Sequence, residues 1–289
     1  MKAKSTTTSY QLLNRQFKIP RIKRITNTVK KESKKYPDVT ITQSDIFRMF
    51  FKLTILFIGD SSIRTIYRDF VRLFSNGRLL EITEAAMQNG EFKEAEGERR
   101  LQKDGKRGNP NYKDIREYFC EASSTRLIYI HLPTVHGPSA TENLNYLQES
   151  IDCEYIHAIV FSSYHSDMNF AKLKKNKLPF ETILENYNNS LNDICLRLME
   201  ICRAKKDRHQ QYIWMGAHPP NFTFTDKQQY QFNEILNSTN QIVNEHGFHT
   251  FNRKHFWDIT HNDLLMRESH YFSPKGKFSN LLCLTIHVL

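Results

Sequence analysis

One short segment constrains the fold of this chain more than any other. Residues 54–58 (TILFI) are apolar or β-branched, which predicts a short buried strand that ends at Gly59. Apolar residues then recur with helical spacing, at Ile63, Ile66, Tyr67, Phe70, Val71 and Phe74. Ser61 is therefore expected where a buried strand turns into a helix, with its hydroxyl exposed beside the N–H groups of the first helical turn.

Two interpretations of this turn follow from the residues alone. A nucleophilic serine requires such an exposed position at the end of a strand. The alternative is that Asp60, Ser61 or Ser62 only caps the helix, because all three are favourable N-cap residues.

The rest of the chain alternates between strand and helix patterns. Further strands are predicted at 126–132, 157–162, 211–215 and 248–251, and helices at 44–52, 62–74, 142–151, 180–203, 226–245 and 274–288. Residues 88–112 are polar and charged, which predicts a long surface loop or a partly helical excursion. This order predicts an α/β fold, a three-layer α/β/α sandwich with a mostly parallel five-stranded sheet.

Polar residues follow the ends of several predicted strands. Ser61, Ser162 and the segment 216–218 each come just after a strand. Ligands of open parallel sheets bind at the carboxyl ends of the strands, so this convergence indicates a site at that edge.

The net charge of +10 is confined to one end of the chain. Residues 1–35 contain eleven Lys or Arg and one acid, which leaves 30 basic and 30 acidic residues in the remainder. We therefore expect a basic, disordered arm at 1–40 before a domain at 41–289. A neutral body argues against nucleic-acid binding by the domain. The arm is either available to contact acidic surfaces or is a solvated tail.

Several classes of protein are not predicted. The sequence contains no run of about 18 apolar residues, so no membrane span is predicted. The amino-terminal residues lack the apolar core of a signal peptide. Five cysteines without a C-x-x-C motif are typical of reduced thiols, so an intracellular, cytoplasmic or nuclear, location is expected. No metal-ligand spacing or glycine-rich nucleotide motif occurs, so neither a metal nor a cofactor is predicted.

The block TILFIGDSSIRTIYRDFVRLF resembles the opening block of the PC-esterase family, a branch of the SGNH (GDSL-type) hydrolases. The matching positions are Gly59, Asp60, Ser61, Arg64, Tyr67, Arg68 and Asp69. The similarity continues more thinly through 111–120, 160–163, 213–215 and 268–271, and so spans about residues 52 to 289.

This resemblance implies an SGNH-type domain that hydrolyses esters by acyl transfer. Ser61 would be the nucleophile and His270 its general base, acting on acyl or acetyl esters of carbohydrate or glycoprotein-type substrates without a cofactor. The family carries an aspartate three residues before the histidine, where this chain has Arg267. Glu268 is then the candidate acid, although it lies two residues before His270.

The resemblance also suggests pocket residues. Related proteins carry an oxyanion-binding asparagine where this chain has Ser162, whose hydroxyl can donate one hydrogen bond at shorter reach. Asp167 keeps a family carboxylate, and Asp60 adjoins the nucleophile. His218 either lines the pocket after the strand at 211–215 or is a solvated loop histidine.

Arg64 and Tyr67 lie one helical turn apart after Ser61. Arg64 is either a solvated charge, or it orients the Asp60 turn or meets an acidic substrate. Because Arg267 and Ser162 depart from the family pattern, a second interpretation stays open. In it the chain is a weakened or inactive relative that keeps the pocket for binding or scaffolding.

Overall fold

A computed structural model describes residues 42–251, apart from 82–83, 85–93, 107–108, 110–111, 154, 166, 169–172, 174–175, 204–208 and 218–223. The helices are α1 (Gln43–Met49), α2 (Ser61–Asn76), α3 (Pro138–Ser150), α4 (Phe180–Ile201) and α5 (Asp226–Glu245). The strands are β1 (Thr54–Gly59), β2 (Glu98–Asp104), β3 (Lys113–Cys120), β4 (Thr125–His131), β5 (Ala158–Ser162), β6 (Gln211–Met215) and β7 (His249–Phe251). None of these described helices is long and apolar enough to cross a membrane.

The strands form one seven-stranded sheet in the order β2-β3-β4-β1-β5-β6-β7. The five strands from β4 to β7 in this order run parallel to one another, and they are the five that the sequence predicts. Helices pack on both faces, so the predicted α/β class and mostly parallel sheet are confirmed. The predicted arm at 1–40 and the helix at 274–288 lie outside the described residues.

The sheet contains two more strands than the sequence predicts. β2 and β3 pair antiparallel with each other, and β3 pairs antiparallel with β4. The prediction of a loop or partial helix over 88–112 is therefore wrong for Glu98–Asp104. β2 lies at the edge of the sheet and is half-exposed and charged, so its sequence lacks the apolar alternation by which strands are recognised.

The alternation along β1 divides the core between the two faces of the sheet. Ile55 and Phe57 pack with α1 and α2, in a cluster rich in aromatic rings. Leu56 and Ile58 point the other way, into a larger cluster with α3, α4 and α5. Since β1 is buried on both faces, it reads as a continuous apolar run. Its carboxyl end is therefore held from both sides.

Candidate active site

The turn after β1 joins strand and helix with almost no intervening chain. Asp60 is the N-cap of α2, with extended backbone, and Ser61 is the first helical residue. The Asp60 carboxylate accepts hydrogen bonds from the backbone N–H of Ser62 at 2.8 Å and from its hydroxyl at 2.7 Å. Capping is therefore done by Asp60 with the help of Ser62, and the hydroxyl of Ser61 is not needed for it.

Gly59 makes this tight turn possible. Its φ is +153°, and a Cβ atom added there would lie 1.9 Å from the carbonyl oxygen of Ser162. The same carbonyl accepts a hydrogen bond from the Asp60 N–H at 3.2 Å. Only glycine allows the end of β1 to approach β5 so closely.

Ser61 lies at the switch point of the sheet. The connection from β1 leads to the β4 side of the sheet, whereas the connection from β4 crosses to β5 on the other side of β1, so the strand order reverses here. The Ser61 side chain is half-buried, and its hydroxyl makes no hydrogen bond with any residue that the structure describes. As the first helical residue, its N–H has no acceptor within the helix. With respect to the described residues, an unbonded hydroxyl and an unbonded N–H thus share one position.

His165 supports the Asp60 carboxylate from the loop after β5. Its backbone N–H donates to Asp60 Oδ2 at 3.2 Å. Burial raises the pKa of the Asp60 carboxyl, but the positive charge of His165 and the hydrogen bonds from Ser62 and His165 outweigh burial and leave this pKa below its usual value. Asp60 is therefore an ionised, structural anchor of the turn.

Two polar strand ends flank Gly59 in register. Ser162 pairs with Gly59 on the β5 side and His131 on the β4 side. Ser162 is 1% exposed, and its hydroxyl has no hydrogen-bond partner among the described residues. Since side chains alternate along a strand, Ser162 points to the same face of the sheet as Val160. That is the face on which α2, which begins at Ser61, packs. A buried, unsatisfied hydroxyl beside the turn has unused donor capacity.

Asp167 lies on the other side of the site from α2. Its Oδ2 accepts from the Val135 N–H at 2.9 Å, and its own N–H donates to the Tyr164 carbonyl at 3.2 Å. Asp167 therefore ties the loop after β4 to the loop after β5. It acts on the shape of the site, through the two loops that border β1.

Arg64 and Tyr67 are both buried side chains of α2. Arg64 is 5% exposed, so the alternative of a solvated charge is wrong. The Tyr67 hydroxyl donates to Glu98 Oε1 at 3.1 Å, and its ring stacks on Tyr129 at 5.4 Å. Burial, followed by the charge of Glu98, raises the pKa of Tyr67 well above its usual value. Tyr67 thereby holds the edge strand β2 onto α2.

A buried ionic network continues from Tyr67 across β2 and β3. Arg116 pairs with Asp114 at 2.8 Å and with Glu98 at 3.6 Å, and Arg100 pairs with Asp114 at 3.0 Å. The side chains of Arg116 and Asp114 are 2% and 0% exposed. The face of the sheet on the Ser61 side is thus charged in its interior, whereas the opposite cluster is apolar.

His131 extends this polar region to the end of β4. Its Nδ1 lies 2.8 Å from the Tyr129 hydroxyl, which also lies 3.4 Å from the carbonyl of Gly59. Its ring makes an edge contact with Tyr112 at 5.2 Å. An imidazole is consequently held at the same level of the sheet as the Ser61 turn.

A cleft of about 500 Å³ opens beside the loop after β4. Three carboxamides, two aliphatic side chains, a hydroxyl and an imidazole line it: His136, Asn176, Leu178, Ile183, Asn186, Asn189 and Ser190. His136 Nδ1 lies 2.8 Å from Ser190 Oγ, and burial lowers the pKa of His136. The described lining is therefore uncharged at neutral pH and rich in hydrogen-bond donors and acceptors.

Three residues assigned from the sequence lie outside the described residues. They are the candidate base His270, the candidate acid Glu268 and the pocket candidate His218. The structure brings together Ser61, Asp60 and Ser162, adjoined by Arg64. The roles of His270, Glu268 and His218 stay predictions.

Three residues near Ser61 or on the same face of the sheet carry no clear signal in the sequence: His165, Arg116 and Asp114. His165 follows the predicted strand at 157–162, but nothing in its neighbouring residues distinguishes it from a solvated loop histidine. Arg116 and Asp114 alternate in a strand, but their charges resemble those of an exposed edge. Only the pairing of β3 with β2 and β4 shows that they are buried.

Comparisons with known proteins add little to this geometry. No family model matches the chain, and no curated protein matches it. Among solved structures it is similar to the lipase Lip_vut3 from goat rumen metagenome, with 10% identity, 81% of this chain and 98% of that chain covered, and a TM-score of 0.47. It is also similar to the acetylxylan esterase Axe2 from Geobacillus stearothermophilus, with 12% identity and a TM-score of 0.45, over 83% of this chain and 95% of that one. The lipase/acylhydrolase from Enterococcus faecalis matches with 11% identity and a TM-score of 0.40, over 82% of this chain and 95% of that one. We infer nothing about this chain from similarities of this size.

Proposed function

We propose that the chain is a serine esterase of the SGNH type, which hydrolyses an ester by acyl transfer through Ser61. One observation carries the proposal: Asp60 caps the helix by accepting from the Ser62 N–H, so the hydroxyl of Ser61 is not needed for the cap and stands at the end of the central strand. The switch point of a parallel sheet is where ligands bind. A serine that is not needed to hold the turn is available for chemistry.

The same turn supplies groups for the developing oxyanion. The Ser61 N–H points out of the first turn of α2, whose dipole favours negative charge there. The Ser162 hydroxyl, buried and without a described partner, is the second proposed donor. It replaces the asparagine that the family resemblance implies, and its shorter reach predicts a slower enzyme, since the loss of one donor costs on the order of 10²–10³ in rate.

We propose His270 as the base that takes the proton of Ser61 and later gives it to the leaving alcohol. Glu268 is the proposed acid that orients His270 and stabilises the imidazolium. Arg267 stands where the family resemblance implies an aspartate. A cation at that position disfavours the imidazolium, which again predicts a slow reaction.

For the substrate we propose acyl or acetyl esters of neutral, hydroxyl-rich molecules of carbohydrate or glycoprotein type. The uncharged cleft supports this class, because carboxamides, a hydroxyl and an imidazole pair with sugar hydroxyls as both donors and acceptors. Asp167 fixes the loop that carries His136 to the loop after β5. The cleft would hold the part of the substrate that does not react.

The test measures hydrolysis of p-nitrophenyl acetate and of an acetylated xylo-oligosaccharide by the full chain. We expect Ser61→Ala to lower kcat by at least about 10³-fold on both. His270→Ala should do the same, and the double variant should lose no more than either single variant, because the two residues act as a unit. Ser75→Ala, on the same helix, is the matched control and should keep the wild-type rate.

A fluorophosphonate probe provides a second readout. It should modify the peptide that contains Ser61 in the wild-type chain and in Ser75→Ala, and no peptide in His270→Ala. Asn189→Leu should raise KM for the oligosaccharide with little change for p-nitrophenyl acetate. If Asn189→Leu changes neither value, the cleft is not part of the substrate site.

The second candidate function is a binding or scaffold protein with a disabled site. Ser162 favours it, since its hydroxyl is buried and has a shorter reach than the expected amide. If the wild-type chain hydrolyses neither ester and the probe leaves Ser61 unmodified, this function replaces the esterase.

A further inference from the structure

Tyr187 lies between the cleft and the strand end that carries Ser162. It is a residue of α4, and its side chain is fully buried. Its neighbours on this helix, Asn186 and Ser190, line the cleft. The ring of Tyr187 makes an edge contact with the ring of His136, whose centroid lies 6.2 Å away. Tyr187 therefore stands directly behind the wall of the cleft.

The hydroxyl of Tyr187 holds the end of β5. It donates a hydrogen bond of 2.6 Å to the carbonyl oxygen of Ser163. Burial, followed by the charge of Asp167, raises the pKa of Tyr187 well above its usual value. The hydroxyl therefore stays protonated at neutral pH and keeps its hydrogen to donate. This contact fixes the residue that directly follows Ser162.

The same short segment is bound from the opposite side by the Ser61 turn. The Ser162 carbonyl accepts from the Asp60 N–H at 3.2 Å, and the His165 N–H donates to the Asp60 carboxylate at 3.2 Å. The Ser162 hydroxyl itself has no hydrogen-bond partner among the described residues. Its position is therefore set by the backbone of the segment, which Asp60 and Tyr187 hold between them.

We propose that Tyr187 is a positioning residue for the reaction at Ser61. By holding Ser163, it sets through the backbone where the Ser162 hydroxyl lies relative to the oxyanion. This inference rests on the esterase function proposed above. An oxyanion donor is effective only when it lies within about 3 Å of the place where the charge develops, so a small displacement lowers the rate strongly. The cleft wall and the oxyanion donor thus depend on one side chain.

The test is the hydrolysis of p-nitrophenyl acetate and of an acetylated xylo-oligosaccharide by the full chain carrying Tyr187→Phe. Phenylalanine keeps the ring beside His136 and removes the hydrogen bond to Ser163. We therefore expect kcat to fall about tenfold on both esters, while KM for the oligosaccharide changes by less than about twofold. A side chain that only shaped the cleft would instead raise KM for the oligosaccharide and leave hydrolysis of p-nitrophenyl acetate unchanged, which would overturn the inference.

Tyr212→Phe is the matched control. The Tyr212 hydroxyl also donates a hydrogen bond of 2.6 Å, to the Gln210 side chain, but it lies at the opposite end of the strands, where β6 begins. Both variants should unfold within about 4 °C of the wild-type Tm, since each loses one hydrogen bond. Only Tyr187→Phe should lose activity. An equal loss of kcat in the control would mean that the effect is general and not one of positioning.

A double-mutant cycle with Ser162→Ala tests the route of the effect. If Tyr187 acts through the Ser162 hydroxyl, Tyr187→Phe should lower kcat about tenfold in the wild-type chain but less than about twofold in Ser162→Ala. Additive losses would overturn the inference, because Tyr187 would then act on the rate without Ser162.

The outcomes also distinguish this inference from the esterase function itself. A wild-type chain that hydrolyses neither ester overturns both. A wild-type chain whose activity depends on Ser61 but is the same in Tyr187→Phe overturns only the role of Tyr187.

Discussion

The turns after β1 and after β4 start from paired positions of neighbouring parallel strands, Gly59 and His131, yet they are built in opposite ways. After β1 the helix begins within two residues, and its cap is a buried carboxylate that accepts three hydrogen bonds, two from Ser62 and one from His165. After β4 the chain runs on to Gly137, and α3 begins there with no side-chain cap.

The surroundings of the two turns differ as much as their lengths. A Cβ atom at Gly59 would meet backbone at 1.9 Å, whereas one at Gly137 would meet nothing within 4 Å. The first turn therefore has one available conformation, and the second has room to adjust. The rigid turn carries Ser61, the proposed nucleophile, and a reacting group must be held in place in this way.

Alanine substitution at the two glycines should give the largest contrast. Gly59→Ala must push β1 away from the Ser162 carbonyl, so we expect a loss of more than about 4 kcal/mol in the free energy of unfolding. Gly137→Ala meets no neighbouring atom, but it must adopt φ 82° and ψ −177°, a conformation almost confined to glycine, which costs about 1–3 kcal/mol. Urea denaturation of both variants measures the difference. Equal losses would mean that the two turns do not differ in packing.

Asp60→Asn should produce the next largest effect. The amide keeps an acceptor for the cap but loses the charge that faces His165, so we expect a loss of about 2 kcal/mol at neutral pH. Because the pKa of Asp60 is lower in the folded state, its contribution is complete above the pKa of an unfolded aspartate and disappears as the pH falls through the range below about 4.

The measurement is the stability of wild type and Asp60→Asn from pH 7 down to pH 2. The difference between the two chains should narrow only in the acid range. Acids elsewhere, such as Glu117 with its lowered pKa, titrate in both chains and cancel in the difference. A difference that stays constant with pH would show that Asp60 is not held ionised.

The turn after β4 should be much less sensitive. Asp167→Asn keeps an acceptor for the Val135 N–H at a half-buried position, so we expect a loss of less than about 1 kcal/mol. Thermal unfolding should shift by at most about 4 °C. A loss as large as that of Asp60→Asn would show that the turns after β1 and β4 are equally sensitive to substitution, which contradicts the comparison.

The sequence predicts the parallel part of this fold well and the antiparallel part poorly. β1, β5 and β6 are short apolar runs buried on both faces, which is a local signal. The predicted helix at 226–245 has the bounds that the structure shows for α5, Asp226–Glu245, where a capping box at Thr225 fixes its start. β2 has no such signal, since an edge strand held by ion pairs resembles a charged loop.

The same distinction applies to the site. Ser61 was predictable because its position depends on a strand and a helix that are both encoded locally. The burial of Arg64 was not, because its place on α2 lies opposite the apolar stripe, where the sequence pattern alone is equally compatible with a solvated charge. The role of Asp60 as the cap, rather than Ser61 or Ser62, depended on the backbone geometry of one residue.

The central position of β1 has a consequence for how the chain is made. Its partners come much later in the sequence, since Thr54 pairs with Arg126 and Ile55 with Ala158. At a synthesis rate of about 5–20 residues per second, the TILFI segment emerges several seconds before either partner strand. During that interval it is an apolar segment with both edges unpaired, which is prone to aggregate. We therefore expect folding to be slow, to depend on long-range pairing, and to benefit from chaperones that cover this segment during translation.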